Sequence, residues 1–313
     1  MERVSLVLGG TGFLGYYILS ELLKKGKKAR AFGIDKPTPG NEVAGVEYIV
    51  GDVFSEQDLN AAMKDVDIVY CFISTSMPNS GEKNLRREID LTLTSLDCVL
   101  TAMVNNGISR IVFPSSGGAI YGDKNDKPVT ESSALDPKTA YGTGKQMSEA
   151  LLGFYHRRFG INTLVFRIGN VYGSKQYRKV QQGVIDVFIQ SALQDEPIKI
   201  WGDANKSIRD YIYLADAAEA IIECALKGID GYQVFNLGTG NGISVEEIIA
   251  KIERQMGHPL KKVFYPERSS GVSSIVLDCS KIERMIAWKP KVDIDTGIAL
   301  TIQAKRMLLE SNV

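Results

Sequence analysis

The chain has no excess of either charge: its 313 residues carry 37 basic and 37 acidic side chains. A balanced chain exerts no general pull on nucleic acid or on an anionic membrane. It is also poor in cysteine and histidine. The four cysteines, Cys71, Cys98, Cys224 and Cys279, are scattered in apolar settings with no C-x-x-C pair, where cysteine behaves as a small hydrophobe. The two histidines, His156 and His258, stand far from any cluster of ligands, so no metal site is expected. No run of about 18 apolar residues occurs, and no basic-then-apolar leader with a cleavage site opens the chain. The expectation is a soluble cytoplasmic protein. Internal repeats, low-complexity tracts and a proline-rich linker are missing too, so no simple boundary cuts the chain into beads.

What is present is alternation. Short apolar runs rich in branched residues fall at 3–8, 28–34, 46–50, 67–72, 110–113 and 163–168. Stretches with helical periodicity lie between them, at 13–25, 58–64, 85–106 and 141–159. This rhythm predicts an α/β fold with a doubly wound parallel, Rossmann-type sheet. Such sheets bind ligands beyond the carboxyl ends of their strands. After Tyr172-Gly173 the alternation weakens into loops, short strands such as 198–201 and a few helices, which predicts a smaller C-terminal substrate-binding lobe. The expected division is 1–172, with part of 207–240, for the nucleotide-binding domain, and 173–206 with 241–313 for the smaller one.

Two motifs carry chemistry. The first strand ends in Gly9-Gly-Thr-Gly-Phe-Leu-Gly15, a G-x-x-G-x-x-G loop opening a helix. Glycines let the backbone turn sharply and approach a pyrophosphate, and the helix N-terminus offers free N–H donors and partial positive charge. The second motif is Tyr141-Gly-Thr-Gly-Lys145. Residues four apart share a helix face, so the Lys145 ammonium can stand beside the Tyr141 phenol. A neighbouring cation favours the phenolate and brings this poor base closer to neutral pH. A basic cluster at Lys175, Arg178 and Lys179 suits either an anionic ligand or a solvated loop.

The three-residue glycine spacing resembles the short-chain dehydrogenase/reductase superfamily, extended branch. The likeness runs on through Gly51-Asp52-Val53, Ser115-Ser116 with Tyr121-Gly122, Tyr141-x-x-x-Lys145, Arg167-Ile-Gly-Asn170-Val-Tyr172-Gly173, Trp201-Gly202-Asp203, Arg209-Asp210-Tyr211 and Asn236-Leu-Gly-Thr-Gly240. In that order they resemble the UDP-glucose 4-epimerase family. The resemblance implies NAD as cofactor, held by Gly9, Thr11, Gly12, Phe13, Leu14, Gly15, Asp35, Asp52, Val53, Tyr141 and Lys145. It implies a mechanism in which Tyr141 takes the proton of a sugar 4-hydroxyl, Lys145 supports it, and Ser116 steadies the 4-oxygen. Ser115, Ser116, Tyr141, Asn170, Arg209 and Arg268 are the implied substrate ligands, the guanidinium forks matching diphosphate oxygens. Ile275, seven residues after Arg268, is the implied neighbour of the sugar's 2-substituent. The family also implies a homodimer through the helices at 85–106 and 141–159, although Leu93, Leu96, Leu100 and Leu151 equally suit a core.

Three departures stand out. Gly117 occupies the place where the family carries Ser or Thr, so the hydroxyl falls to Ser116 or Ser115. Gly33 replaces the acidic residue at the end of the second strand, leaving Asp35 to meet the adenosine ribose and to disfavour a 2′-phosphate. Gly271 stands where an acid often follows the Arg268-type arginine. Alternatives to epimerisation are a nucleotide-sugar dehydratase, against which Gly117-Gly118 argues by replacing an acidic pair, a reductase, and a non-enzymatic cofactor sensor, against which Tyr141 and Lys145 both argue.

Overall fold

The computed structural model describes residues 3–73, 85–124, 128–173, 183–267 and 272–310. The first half winds through β1 (Val4–Leu8), α1 (Gly15–Lys24), β2 (Ala29–Gly33), β3 (Glu47–Val50), α2 (Glu56–Ala62), β4 (Val66–Cys71) and α3 (Leu85–Asn105). It continues through β5 (Arg110–Ser116), the single turn α4 (Gly117–Ile120), α5 (Ala140–Phe159), β6 (Asn162–Ile168) and β7 (Asn170–Tyr172). Then come α6 (Val184–Leu193), β8 (Ile198–Trp201), β9 (Ile208–Tyr213), α7 (Leu214–Leu226) and β10 (Tyr232–Leu237). The chain closes with β11 (Gly242–Ser244), α8 (Val245–Met256), β12 (Lys262–Tyr265), β13 (Ser274–Ile275), α9 (Ser280–Ile286) and α10 (Ile294–Glu310).

Seven strands form one parallel sheet in the order β10-β6-β5-β4-β1-β2-β3. The winding reverses between β1 and β4, which leaves a crevice at their carboxyl ends. Alternation along β1 explains the two covering layers. Val7 faces a core built with Ile18, Leu19 and Leu22 of α1 and Ile221 and Ile222 of α7. Leu6 and Leu8 face the other side, with Leu59 of α2, Leu96 and Leu100 of α3, and Leu152 of α5. Period two in the strand thus sorts side chains between two helical layers. The predicted doubly wound sheet is present. One strand of it, β10, went unread in the sequence, because Tyr232–Leu237 lies beyond the point where alternation weakens.

Local signals set the helix ends. Thr139 caps α5 by accepting from the Gly142 amide at 3.1 Å, and Gly160 closes the helix with φ of 71°. Ser55 caps α2, so that helix begins ahead of its expected start at 58. In α8, Ser244 and Glu247 form a reciprocal capping box.

The remaining strands make smaller sheets: β11-β9-β13, with β7 also on β9, and the pair β12-β8. Their core gathers Ile185, Phe188 and Ile189 of α6, Ile248, Ile249 and Ile252 of α8, and Ile298 and Ile302 of α10. A fully buried ion pair, Lys305 Nζ to Asp186 Oδ1 at 3.2 Å, joins α10 to α6. The second oxygen of Asp186 accepts the Gly173 amide at 3.0 Å, which anchors the end of β7 to the same point. Among the described residues no helix is long and apolar enough to cross a membrane, and no cluster of metal-ligand side chains occurs.

Candidate active site

The glycine loop leaves β1 at the crevice. Gly9 has φ of 77°, and its carbonyl accepts the Gly12 amide at 2.9 Å, closing a tight turn. A Cβ at Gly15 would stand 2.2 Å from the Gly9 carbonyl oxygen, so the first residue of α1 must be glycine for helix and turn to meet. The helix has no acidic residue in its first turn, and Leu14 gives no side-chain cap. Its amino end therefore keeps the electropositive character that suits a pyrophosphate. The loop accordingly fits a dinucleotide.

Tyr141 and Lys145 stand on the first turns of α5, where the cap at Thr139 fixes the helix start. Lys145 is buried, and its Nζ donates to the Pro114 carbonyl of β5 at 2.8 Å. The ammonium lies 4.7 Å from the Phe113 ring centroid and 5.7 Å from that of Tyr141. The predicted pairing is thus present in space. Burial pushes the Lys145 amine down to about 8, opposed by Cys71 and Glu149. Burial likewise pushes the neighbouring Cys71 thiol up to about 11.

The two serines at the end of β5 point to different tasks. Ser115 is buried, and its hydroxyl donates to Glu149 Oε1 at 2.6 Å. Glu149 also pairs with Arg167, Oε2 to Nη2 at 2.7 Å. Arg167 Nη1 donates to the Tyr121 hydroxyl at 2.9 Å, and that hydroxyl donates to Asn236 Oδ1 at 2.6 Å. One buried chain of bonds therefore links β5, α5, β6 and β10. Burial lowers the Arg167 pKa, but the Glu149 carboxylate outweighs it and holds the guanidinium charged. Ser116 is half-buried at the start of α4 and makes no cap bond.

Packing accounts for Gly117. A Cβ there would stand 2.7 Å from Leu277 Cδ1 and 3.0 Å from the Arg167 carbonyl oxygen. Leu277 fills the space a side chain at 117 would need. At Gly118, an added Cβ would meet Asn170 Oδ1 at 2.8 Å, which puts the half-buried Asn170 at the edge of this loop.

Other expected ligands are placed less directly. Arg209 on β9 gives its guanidinium to backbone carbonyls of Ile208, Ser273 and Val272, the first two at 2.9 and 2.8 Å. Burial lowers its pKa, with Tyr211 and Asp123 opposing. Arg268 and Gly271 lie outside the described residues, as do Lys175, Arg178 and Lys179. Asp35 is exposed, two residues beyond β2, whereas Gly33 lies against the glycine loop; a Cβ there would sit 3.7 Å from Thr11 Oγ1. Asp52 caps its own turn by accepting the Phe54 amide at 3.0 Å, and Val53 is buried. Ile275 is buried in the core beside Leu277. Leu96 and Leu100 are also core, while Leu93 and Leu151 are half-buried.

A family model described as "NAD dependent epimerase/dehydratase family" matches residues 5–238. The chain belongs to this family. The glycine loop and the Tyr141–Lys145 pair both lie within the matched residues. A putative UDP-glucose 4-epimerase of Methanocaldococcus jannaschii is 32% identical over 94% of this chain and 95% of its own length. A dTDP-4-dehydro-6-deoxyglucose reductase of Escherichia coli is 30% identical over 96% and 97%. Among solved structures, UDP-glucose 4-epimerase of Thermotoga maritima with UDP-glucose superposes with a TM-score of 0.91, at 26% identity, over 98% of this chain and 100% of that one. The Thermus thermophilus enzyme in complex with NAD gives 0.89 at 27% identity, over 97% and 99%.

Two residues of the site, Glu149 and Leu277, escaped the sequence reading, and Asp210 was read only as part of the Arg209-Asp210-Tyr211 motif. Glu149 follows Lys145 by four, a spacing that places it on the same helix face. Asp210 is buried and accepts the Thr239, Gly240 and Leu277 amides at 2.7, 3.0 and 3.3 Å, locking the 239–240 loop to β9. Burial raises its pKa against those donors. Nothing local in the sequence marks Leu277.

Proposed function

We propose that the chain is a NAD-dependent nucleotide-sugar 4-epimerase of the UDP-glucose/UDP-galactose type, acting through a transient 4-keto sugar. The observation that carries this reading is the Tyr141–Lys145 pair on α5, with Lys145 tied to β5 just before the serine pair. Tyr141 takes the proton of the 4-hydroxyl, and the Lys145 ammonium stabilises the phenolate that does so. Ser116 hydrogen-bonds the 4-oxygen as charge develops there. NAD, when bound, supplies what no side chain can: acceptance of the hydride from carbon 4 and its return to the opposite face. Gly9, Thr11, Gly12, Phe13, Leu14 and Gly15 hold its pyrophosphate, and Asp52 and Val53 border the adenine. Asn170, Arg209 and Arg268 hold the substrate diphosphate, Arg209 by exchanging carbonyl partners for phosphate oxygens.

In the same proposal residues 1–172 with part of 207–240 bind NAD, and 173–206 with 241–313 bind the sugar nucleotide. Two copies pair through α3 and α5, where Phe154 and Phe159 are about half exposed. The relatives named UDP-glucose 4-epimerase support the sugar class. The experiment is to identify the nucleotide that co-purifies, then incubate the protein with UDP-glucose, UDP-galactose and their N-acetylated forms. Inactivity on all four would remove the proposed substrate class.

A second reading, reduction of a 4-keto nucleotide sugar, is favoured by Gly33. The missing carboxylate leaves room for a 2′-phosphate on the ribose, and the E. coli relative carries a reductase name. Titrating NAD and NADP into stripped protein, and following net cofactor turnover, separates the two.

A further inference from the structure

We propose that Glu149 is a positioning residue of the reaction, holding the serine strand end through Ser115 and keeping the Lys145 ammonium charged beside Tyr141. The inference rests on the reading of Tyr141 and Lys145 given above. Its first support is geometric. Glu149 Oε1 accepts the Ser115 hydroxyl at 2.6 Å and Arg167 Nε at 3.0 Å, while Oε2 accepts Arg167 Nη2 at 2.7 Å. Helix α5 is thereby fastened to the carboxyl end of β5, and the same helix carries Tyr141 and Lys145. The bond from Ser115 fixes the strand direction one residue before Ser116, so Ser116 is directed to the opposite face.

The second support is electrostatic. Lys145 is faced by Cys71 from β4, by Tyr141 and Glu149 from its own helix, and by the Phe113 ring and Pro114 carbonyl of β5. Burial disfavours its charge, which a nearby anion offsets in part. The Cys71 thiol, pushed up to about 11, is neutral around pH 7 to 8 and cannot be that anion. Glu149 is the carboxylate left among the groups acting on Lys145. Glu149 is itself faced by Arg167 of β6, Ser115 of β5, Tyr121 after α4 and Tyr232 of β10, whose hydroxyl donates to the Glu149 backbone carbonyl at 2.9 Å. Arg167 pairs with Glu149 at 2.7 Å and is not among the groups that act on Lys145.

Glu149→Gln tests this, since it keeps the side-chain shape and the acceptor for Ser115 while removing the charge. Without the carboxylate, Lys145 gives up its proton more readily and Tyr141 keeps its own. The readout is the 295 nm phenolate absorbance of Tyr141, taken as the difference between each protein and its Tyr141→Phe counterpart from pH 6 to 10. The phenolate fraction at pH 8 is expected to fall about fivefold, following the loss of Lys145 ammonium at that pH when its titration, near 8, moves down by about one unit. Because Glu149→Gln leaves a buried guanidinium unpaired, Glu149→Gln/Arg167→Met is measured alongside, and the same loss is expected. Ser115→Ala, which keeps the carboxylate, should preserve the phenolate signal. An unchanged Tyr141 signal at pH 8 in either folded charge variant, or no such signal in the parent, overturns the proposal. Turnover is assayed separately. A parent inactive on nucleotide sugars would refute the epimerase reading, whereas the absorbance result judges Glu149 on its own.

Discussion

Replacing Gly117 with serine should destabilise the protein, and Leu277 should be the reason. The added Cβ would stand 2.7 and 2.9 Å from the two Leu277 methyl carbons and 3.0 Å from the Arg167 carbonyl oxygen. Such overpacking costs about 1–3 kcal/mol, offset by about 0.4–1 kcal/mol from a less flexible unfolded chain. Gly117 has no positive φ, so backbone strain adds nothing. A net loss of about 1–2 kcal/mol corresponds to a fall in Tm of roughly 1.5–3 °C for a chain of this size. Leu277→Ala alone empties a fully buried site and should cost about 3 kcal/mol. In the double variant the serine occupies part of that space, so the two losses should not add. A coupling of about 1 kcal/mol or more is expected, read by thermal and urea unfolding of all four proteins. The hydroxyl introduced at 117 should also relieve Ser116 of its task, so Ser116→Ala becomes mild in the double background. Additive losses, or Gly117→Ser as stable as the parent, would refute the packing argument.

Tyr141→Phe should lower turnover by about 10²–10⁴-fold while cofactor binding stays near that of the parent, checked by initial rates and NAD titration. Ser116→Ala should lower kcat by more than about tenfold. Ser115→Ala should lower Tm instead, because Glu149 loses a buried donor; the reverse pattern would interchange the two roles. Gly33→Asp should fold normally, since the new Cβ meets Thr11 Oγ1 at 3.7 Å, and should raise the preference for NAD over NADP about tenfold, read from the two dissociation constants. Lys145 also makes a pH prediction. Its folded pKa of about 8 lies below the ordinary 10.5, so the unfolded chain binds more protons between those values. Stability from this group therefore rises from pH 8 to 10.5, by up to about 3 kcal/mol, and Lys145→Met should remove that rise in urea unfolding.

The parts of the fold legible in the sequence are those written in local patterns. Branched runs ending at glycine announced β1 and its loop, and the four-residue spacing announced the Tyr141–Lys145 face. Contacts between distant segments left no such trace. Glu149 meets Ser115 across 34 residues and Arg167 across 18, and Tyr121 meets Asn236 across 115. The motifs containing Ser115, Arg167 and Asn236 were visible, but their shared role as one buried network emerges only in three dimensions. Gly117 read as a missing hydroxyl, whereas its cause is Leu277, far along the chain and packed against it. Arg209 read as a phosphate ligand from its guanidinium fork and its Arg-Asp-Tyr motif, and its bonds to the carbonyls of the 272–273 segment are a partnership that no local pattern shows.

The most direct test of the central claim is conversion of UDP-galactose deuterated at carbon 4 by the protein with NAD. The account predicts UDP-glucose that keeps deuterium at carbon 4, no net accumulation of NADH over many turnovers, and loss of the conversion in Tyr141→Phe. Washed-out label, reduced cofactor rising in step with product, or undiminished conversion by Tyr141→Phe would contradict it.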